Sequence, residues 1–269
     1  MEKDLDGMLL SINNSVATLT FNDPATLNAI SMKILTAFKA ALDIVENPEN
    51  NVRCLILTGA GRGFSAGANI AGGDDNATSR DPKAPIDAGA VLETHYHPLM
   101  RRLRNLHCPI VTAVNGAAAG VGMSFALMGD MIIASKSSFF LQAFRRIGLV
   151  PDGGATWLLP RLIGMARAKE LAIMGDRLPA EKALEWGLIN RVCEDDQLMN
   201  EAVTLATDLA QGPMALGLIR DLMTASIDHT YEEQLNMERQ YQLRAGQSRD
   251  FSEGVRAFIE KRPAKFAGQ

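Results

Sequence analysis

The run from Pro109 to Pro160 constrains the fold most tightly: PIVTAVNGAAAGVGMSFALMGDMIIASKSSFFLQAFRRIGLVPDGGATWLLP. Its β-branched opening, Ile110 to Val114, predicts a buried strand, and Asn115-Gly116 predicts a turn directly after it. A bed of small residues from Ala117 to Gly122 lets backbone approach backbone before an apolar helix begins near Val121. Free N–H groups at such a helix start form a site for developing negative charge. A second strand, Met131 to Ser135, follows, and Val150-Pro151-Asp152-Gly153-Gly154 then sets a carboxylate on a rigid turn ahead of another helix. Both features have structural uses as well. Small residues at a helix start serve close packing, and Asp-Gly-Gly is good helix-capping chemistry.

Around this centre the chain reads as strands alternating with helices, then helices alone. Met8–Ile12 and Val16–Phe21 predict a hairpin. Ser31 is an N-cap for a helix from Met32 to Glu46, whose apolar residues Ile34, Leu35, Phe38, Ala41, Leu42 and Val45 fall at helical spacing. Cys54–Thr58 predicts a short buried strand. Gly59, Gly61 and Gly63 follow it, but no helix stands immediately behind them and a third glycine at dinucleotide spacing is missing, so a nucleotide-binding turn is not indicated. Residues 71–90, rich in Asp, Gly, Pro and Ser, predict a surface loop, and a helix from Val91 to Asn105 leads back to the central strand. Beyond Pro160, helices are predicted over 165–174, 180–186, 195–211, 213–225, 230–246 and 250–261. The pattern is an α/β core with a helical C-terminal part, divided into residues 1–200 and 201–269.

Charge and cysteine usage narrow the function. A formal net charge of −4 gives no electrostatic footprint for nucleic acid, so any phosphate site rests on local clusters such as Arg101, Arg102 and Arg104, or Arg145 and Arg146. Three widely spaced cysteines, Cys54, Cys108 and Cys193, fit neither a disulfide framework nor a zinc pattern. The His95/His97 pair has no Cys or carboxylate cluster to complete a metal site, so no metal is expected. The acidic N-terminus lacks the apolar region of a signal peptide, and no apolar span reaches bilayer length. A cytoplasmic location without membrane contact is expected.

The central run resembles the signature of the crotonase superfamily, the enoyl-CoA hydratase/isomerase proteins. The likeness continues, in the family's order, through Leu27-Asn28-Ala29-Ile30, Gly63-Phe64-Ser65-Ala66-Gly67-Ala68, Leu178-Pro179-Ala180-Glu181, Trp186-Gly187-Leu188-Ile189 and Phe258-Ile259-Glu260-Lys261-Arg262. It implies a spiral of ββα turns with C-terminal helices that build a homotrimer or hexamer. It implies an acyl-CoA substrate whose thioester oxygen lies between the backbone N–H groups of Ala68 and Val121, and no cofactor apart from the coenzyme A of the substrate. The family's hydratases use two glutamates; the matching positions here hold Ser124 and Phe144, neither of which accepts a proton at neutral pH. Asp152 matches the acid of the single-carboxylate enoyl-CoA isomerases and of the epoxide (oxepin-CoA) isomerases of phenylacetate breakdown, and the run from Gly148 to Pro160 is most similar to the second group.

The resemblance further implies adenine near Ala66–Ala68 and phosphates near basic side chains, Arg62 among them, with Phe258 and Lys261 reaching a neighbouring subunit's nucleotide. Ser124, Phe144 and Trp157 would border the acyl group, and burial beside Phe144 and Trp157 is expected to raise the pKa of Asp152. One carboxylate suffices to take a proton from one carbon and return it to another. The resulting expectation is an acyl-CoA isomerase working through Asp152. An enoyl-CoA hydratase or related lyase is one alternative. A non-catalytic acyl-CoA-binding or scaffold protein, RNA-associated as one branch of the family is, is another; net acidity opposes RNA and the retained Asp152 opposes loss of catalysis.

Overall fold

The computed structural model describes residues 1–70 and 87–269; of the loop expected over residues 71–90, residues 71–86 lie outside the described residues. The chain opens with β1 (Glu2–Asp4), β2 (Met8–Asn13) and β3 (Val16–Phe21), antiparallel neighbours, and α1 (Met32–Glu46), capped by the Ser31 side chain, which accepts from the Ile34 N–H. Three strand–strand–helix units follow. They are β4 (Cys54–Gly59), β5 (Gly63–Ser65) and α2 (His97–Arg104); then β6 (Ile110–Val114), β7 (Ala117–Ala119) and α3 (Val121–Ala126); then β8 (Met131–Ser135), β9 (Phe139–Leu141) and α4 (Ala155–Met174). A short strand β10 (Arg177–Pro179), α5 (Ala180–Trp186) and β11 (Arg191–Cys193) lead to α6 (Leu198–Gln211), α7 (Ala215–Ala225), α8 (Tyr231–Gly246) and α9 (Arg249–Glu260).

The first strand of each unit joins a seven-stranded sheet, β1-β2-β3-β4-β6-β8-β11, parallel from β3 onward. The second joins a four-stranded sheet, β10-β9-β7-β5. The chain therefore climbs as a spiral, adding one strand to each sheet per turn. This architecture is the α/β spiral expected from the family resemblance.

A parallel sheet buries both faces, and the strand sequences show it. Along β4, Leu55 and Leu57 face one cluster while Cys54 and Ile56 face another, as period-two alternation requires. The first cluster is built around Phe21, whose ring meets Phe38, Phe64 and Phe125 at 5.6, 5.5 and 5.8 Å, each edge to face. The second is roofed by α6, which lays Leu198, Ala202, Ala206 and Ala210 on Val16, Val111, Ala113 and Ile133. Residue 200, the expected division, thus falls inside a helix that covers the large sheet.

Three features differ from the sequence reading. The helix expected over 165–174 is the second half of α4, which begins at Ala155 and breaks at Gly164, where φ is +77° and ψ 158°. The three-residue strands of the small sheet are absent from the sequence reading, because runs so short carry no measurable period. The Asp152 side chain makes no cap bond to α4; its N-cap residue is Gly154, at φ +84°. Cys54 and Cys108 are buried in the core, as expected, and Cys193 is partly exposed. No single described helix is long and apolar enough to cross a membrane.

Candidate active site

Two spiral turns bring the expected backbone donors together. Ile30 forms a parallel bridge to Ala68: the Ile30 N–H donates to Gly67 O (2.7 Å) and the Asn69 N–H donates to Ile30 O (3.0 Å). That pattern turns the Ala68 N–H away from Ile30. The loop before it is pinned by Asn28, fully buried at a left-handed φ of +57°. Its Nδ2 donates to Ala60 O (2.9 Å) and Gly63 O (2.7 Å), and its own carbonyl accepts from Ser65 Oγ (2.8 Å). Ser65 Oγ in turn accepts from the Gly67 N–H (3.2 Å).

The second donor sits at the start of α3. Gly120, at φ +52°, donates its N–H to Leu141 O (2.8 Å) and accepts from the N–H groups of Met123 and Ser124 (3.0 and 3.3 Å). Val121, the first residue of the helix, has no acceptor for its N–H among the described residues, and neither has Ala68. The two loops touch. A Cβ on Gly67 (φ +93°) would lie 2.7 Å from Ala119 O, and one on Gly122 would lie 2.7 Å from Ser65 Cβ. Only glycine at 67 and 122 permits this approach.

Asp152 comes to the same end of α3. Its carbonyl accepts from Ser124 Oγ (2.9 Å) and from the Ala155 N–H (3.0 Å). Ser124 lies three residues beyond Val121, or about 4.5 Å along the helix axis. The following residue, Gly153, packs on Ser124 and on Met100 Cε of α2. Asp152 Oδ1 is buried without a hydrogen-bond partner. Burial pushes the carboxyl up to about 6, with its own backbone N–H pulling weakly the other way. A buried carboxylate oxygen left without a partner is costly for stability, which is characteristic of a group kept for chemistry.

The other expected residues divide into near and far. Ser124 is fully buried against the Asp152 turn, and Phe144 packs on the Gly120 turn, its Cζ 3.8 Å from where a Cβ would stand. Trp157 faces a neighbouring cavity of about 530 Å³ beyond Gly153 and Gly154. Its ring is held between the guanidinium groups of Arg104 (4.4 Å) and Arg161 (4.0 Å). Ala66 is exposed beside the Ala68 loop, and Arg62 is exposed on the connection from β4 to β5. Phe258, 85% exposed, and Lys261, at the end of α9, make no hydrogen bond to Ala68, Val121 or Asp152. Asn28, Ser65, Gly67 and Met100 were given no role by sequence reasoning. The motif strings contain the first three, but spacing does not say which of them clasp the loop.

A spiral feeding one strand per turn to each of two sheets, with free amides and a buried carboxylate gathered where two turns meet, is a crotonase fold. The chain belongs to the enoyl-CoA hydratase/isomerase family, whose model matches residues 11–269. It is 44% identical to the 1,2-epoxyphenylacetyl-CoA isomerase of Escherichia coli K12, over 98% of this chain and 100% of that one. It is 33% identical to the trans-2-decenoyl-[acyl-carrier-protein] isomerase of Streptococcus mutans, over 99% and 100%. Among solved structures, an enoyl-CoA hydratase subunit from Geobacillus kaustophilus superposes with a TM-score of 0.89 at 32% identity, covering 99% of this chain and 100% of that one. Relatives thus carry both isomerase and hydratase names.

Proposed function

We propose that the protein is an acyl-CoA isomerase in which Asp152 moves a proton on an enolate held by the Ala68 and Val121 N–H groups. The observation that carries this reading is the Asp152 carboxyl, whose Oδ1 is buried without a partner, together with Ser124 and Phe144 at the positions where the family's hydratases hold glutamates, neither able to act as a second base. Abstraction of a proton beside the thioester carbonyl sends its electron pair to the carbonyl oxygen. Two fixed donors stabilise that charge, each worth about 3–4 kcal/mol in comparable oxyanion holes. The protonated carboxyl then returns the proton to another carbon. A carboxyl near pH 6 suits both halves, being ionised at neutral pH yet a stronger base than an exposed aspartate.

Hydration asks for more: a base to activate water and an acid for the α-carbon. Phe144, packed on the Gly120 turn, adds an apolar ring beside the Val121 N–H, which favours exclusion of water. The likeness to the epoxyphenylacetyl-CoA isomerase favours an epoxide of an aryl-acyl-CoA as substrate, with 3-enoyl-CoA esters as a second class served by the same carboxylate. Arg62, Ala66, Phe258 and Lys261 are the proposed coenzyme A contacts, the last two acting across a subunit boundary in a trimer or a dimer of trimers. A panel of CoA esters read by mass spectrometry tests the reaction. Isomerisation leaves product mass unchanged, whereas hydration adds one water. Products uniformly heavier by a water would overturn the reading.

A further inference from the structure

Ser124 has a neighbour that its sequence position does not announce. A serine inside a helix ordinarily turns its hydroxyl back to the carbonyl four residues earlier or out to solvent. Here that carbonyl, Gly120 O, already accepts from two helix N–H groups. Ser124 Oγ instead donates across the fold to Asp152 O, 28 residues away in sequence, and the side chain has no exposure. Gly153, at φ +57°, presses onto it closely enough that a Cβ there would stand 2.7 Å from Ser124 Cβ and 3.1 Å from its Oγ. The turn and the side chain therefore share one volume. A glutamate at 124 would have to displace the turn, and an alanine would keep the contact but lose the bond.

We propose that Ser124 is a positioning residue: its hydroxyl ties the Asp152 turn to the first turns of α3 and so fixes the carboxylate relative to the Val121 N–H. The bond is a tether and not a support for folding, because Asp152 O keeps the Ala155 N–H when the hydroxyl is removed. Released from Ser124, the turn can lift and admit water to Oδ1. The catalytic consequence rests on the role proposed above for Asp152, but the geometric one does not.

Two measurements keep these apart. The first is the Asp152 carboxyl titration in ligand-free protein, followed by carbon NMR and assigned by its loss in Asp152→Asn. Burial sets this titration. α3 carries no titratable side chain, and neither His97, Arg101 and Arg104 of α2, Arg145 and Arg146 before Gly148, nor Arg161 of α4 contributes to it. In Ser124→Ala the carboxyl should titrate well below the wild-type value near 6, and in the volume-matched Ser124→Cys, a weaker donor, it should lie between. The second is isomerase kinetics, where Ser124→Ala should lower kcat about tenfold with KM within about twofold. A Ser124→Ala protein with unchanged titration and unchanged kcat, or with a changed melting temperature alone, overturns the proposal. A lowered titration in a protein whose wild type isomerises nothing upholds the tether and removes the reaction.

Discussion

The proposed mechanism concentrates the chemistry in one side chain, Asp152, and its environment makes two outcomes measurable. Because proton abstraction needs the ionised form, kcat/KM should rise with pH on a limb centred near 6 and not near 4. The same displacement has a cost for the fold. A carboxyl raised to about 6 in the native state, and near its ordinary value when unfolded, contributes stability that is complete below the unfolded value and is lost as pH rises through about 6. The loss is about 3 kcal/mol at neutral pH. Asp152→Asn should therefore melt higher than wild type at pH 7.5 and show no such advantage at pH 4, a comparison calorimetry makes directly. The residue itself was legible in the sequence through its Val-Pro-Asp-Gly-Gly setting. What the setting left open was whether the carboxylate capped α4, and the positive φ of Gly153 and Gly154 decides this by placing Gly154, not Asp152, at the cap.

Strands three residues long hold this site, and they are the part of the fold that sequence reasoning could not reach. β5 and β7 pair at only Gly63–Ala117 and Ser65–Ala118, and with the Ile30–Ala68 bridge and the glycine contacts they align Ala68 and Val121, with no hydrophobic period to betray them. The long elements were legible because each repeats its signal: α1 buries residues at helical spacing over fifteen residues, and β6 is buried throughout and apolar except at Thr112. Gly67→Ala tests the short elements. Its Cβ would strike Ala119 O and part the two donors, so kcat should fall about 10²–10³-fold, the loss of one oxyanion donor, with the circular dichroism spectrum unchanged. A contrasting change lies on α7. Arg220, 7% exposed, donates to Asp130 Oδ2 (2.7 Å) and to the carbonyls of Leu103, Arg104 and Leu106, sealing the helix to the spiral. Arg220→Ala should cost about 3 kcal/mol of unfolding free energy, the low end for a broken buried pair because Asp130 keeps some contact with water. Denaturant titration reads that loss.

At the scale of the whole molecule, the C-terminal helices end in apolar surface. α8 buries none of its residues within the chain, and α9 leaves Phe258 and Ile259 exposed together with Phe251 and Val255. These four residues fall at i, i+4, i+7 and i+8 and share one helix face, the pattern of an interaction surface. Light scattering at micromolar concentration should give the mass of three or six chains, and Phe258→Glu should lower both that mass and the affinity for CoA esters. A stable wild-type monomer would remove the cross-subunit contacts of Phe258 and Lys261 while leaving Asp152 untouched. Acyl-CoA should raise the melting temperature by mass action and NAD should not. Whether one carboxylate moves a proton between carbons is read by timing isomerisation and hydration side by side in wild type and Asp152→Asn. Wild type should isomerise a 3-enoyl-CoA or an aryl-epoxide CoA ester and hydrate crotonyl-CoA slower by orders of magnitude. The variant should lose isomerisation by about 10³-fold or more with ligand affinity within a few-fold. Rapid crotonyl-CoA hydration that survives in Asp152→Asn would contradict the account in both its reaction and its residue.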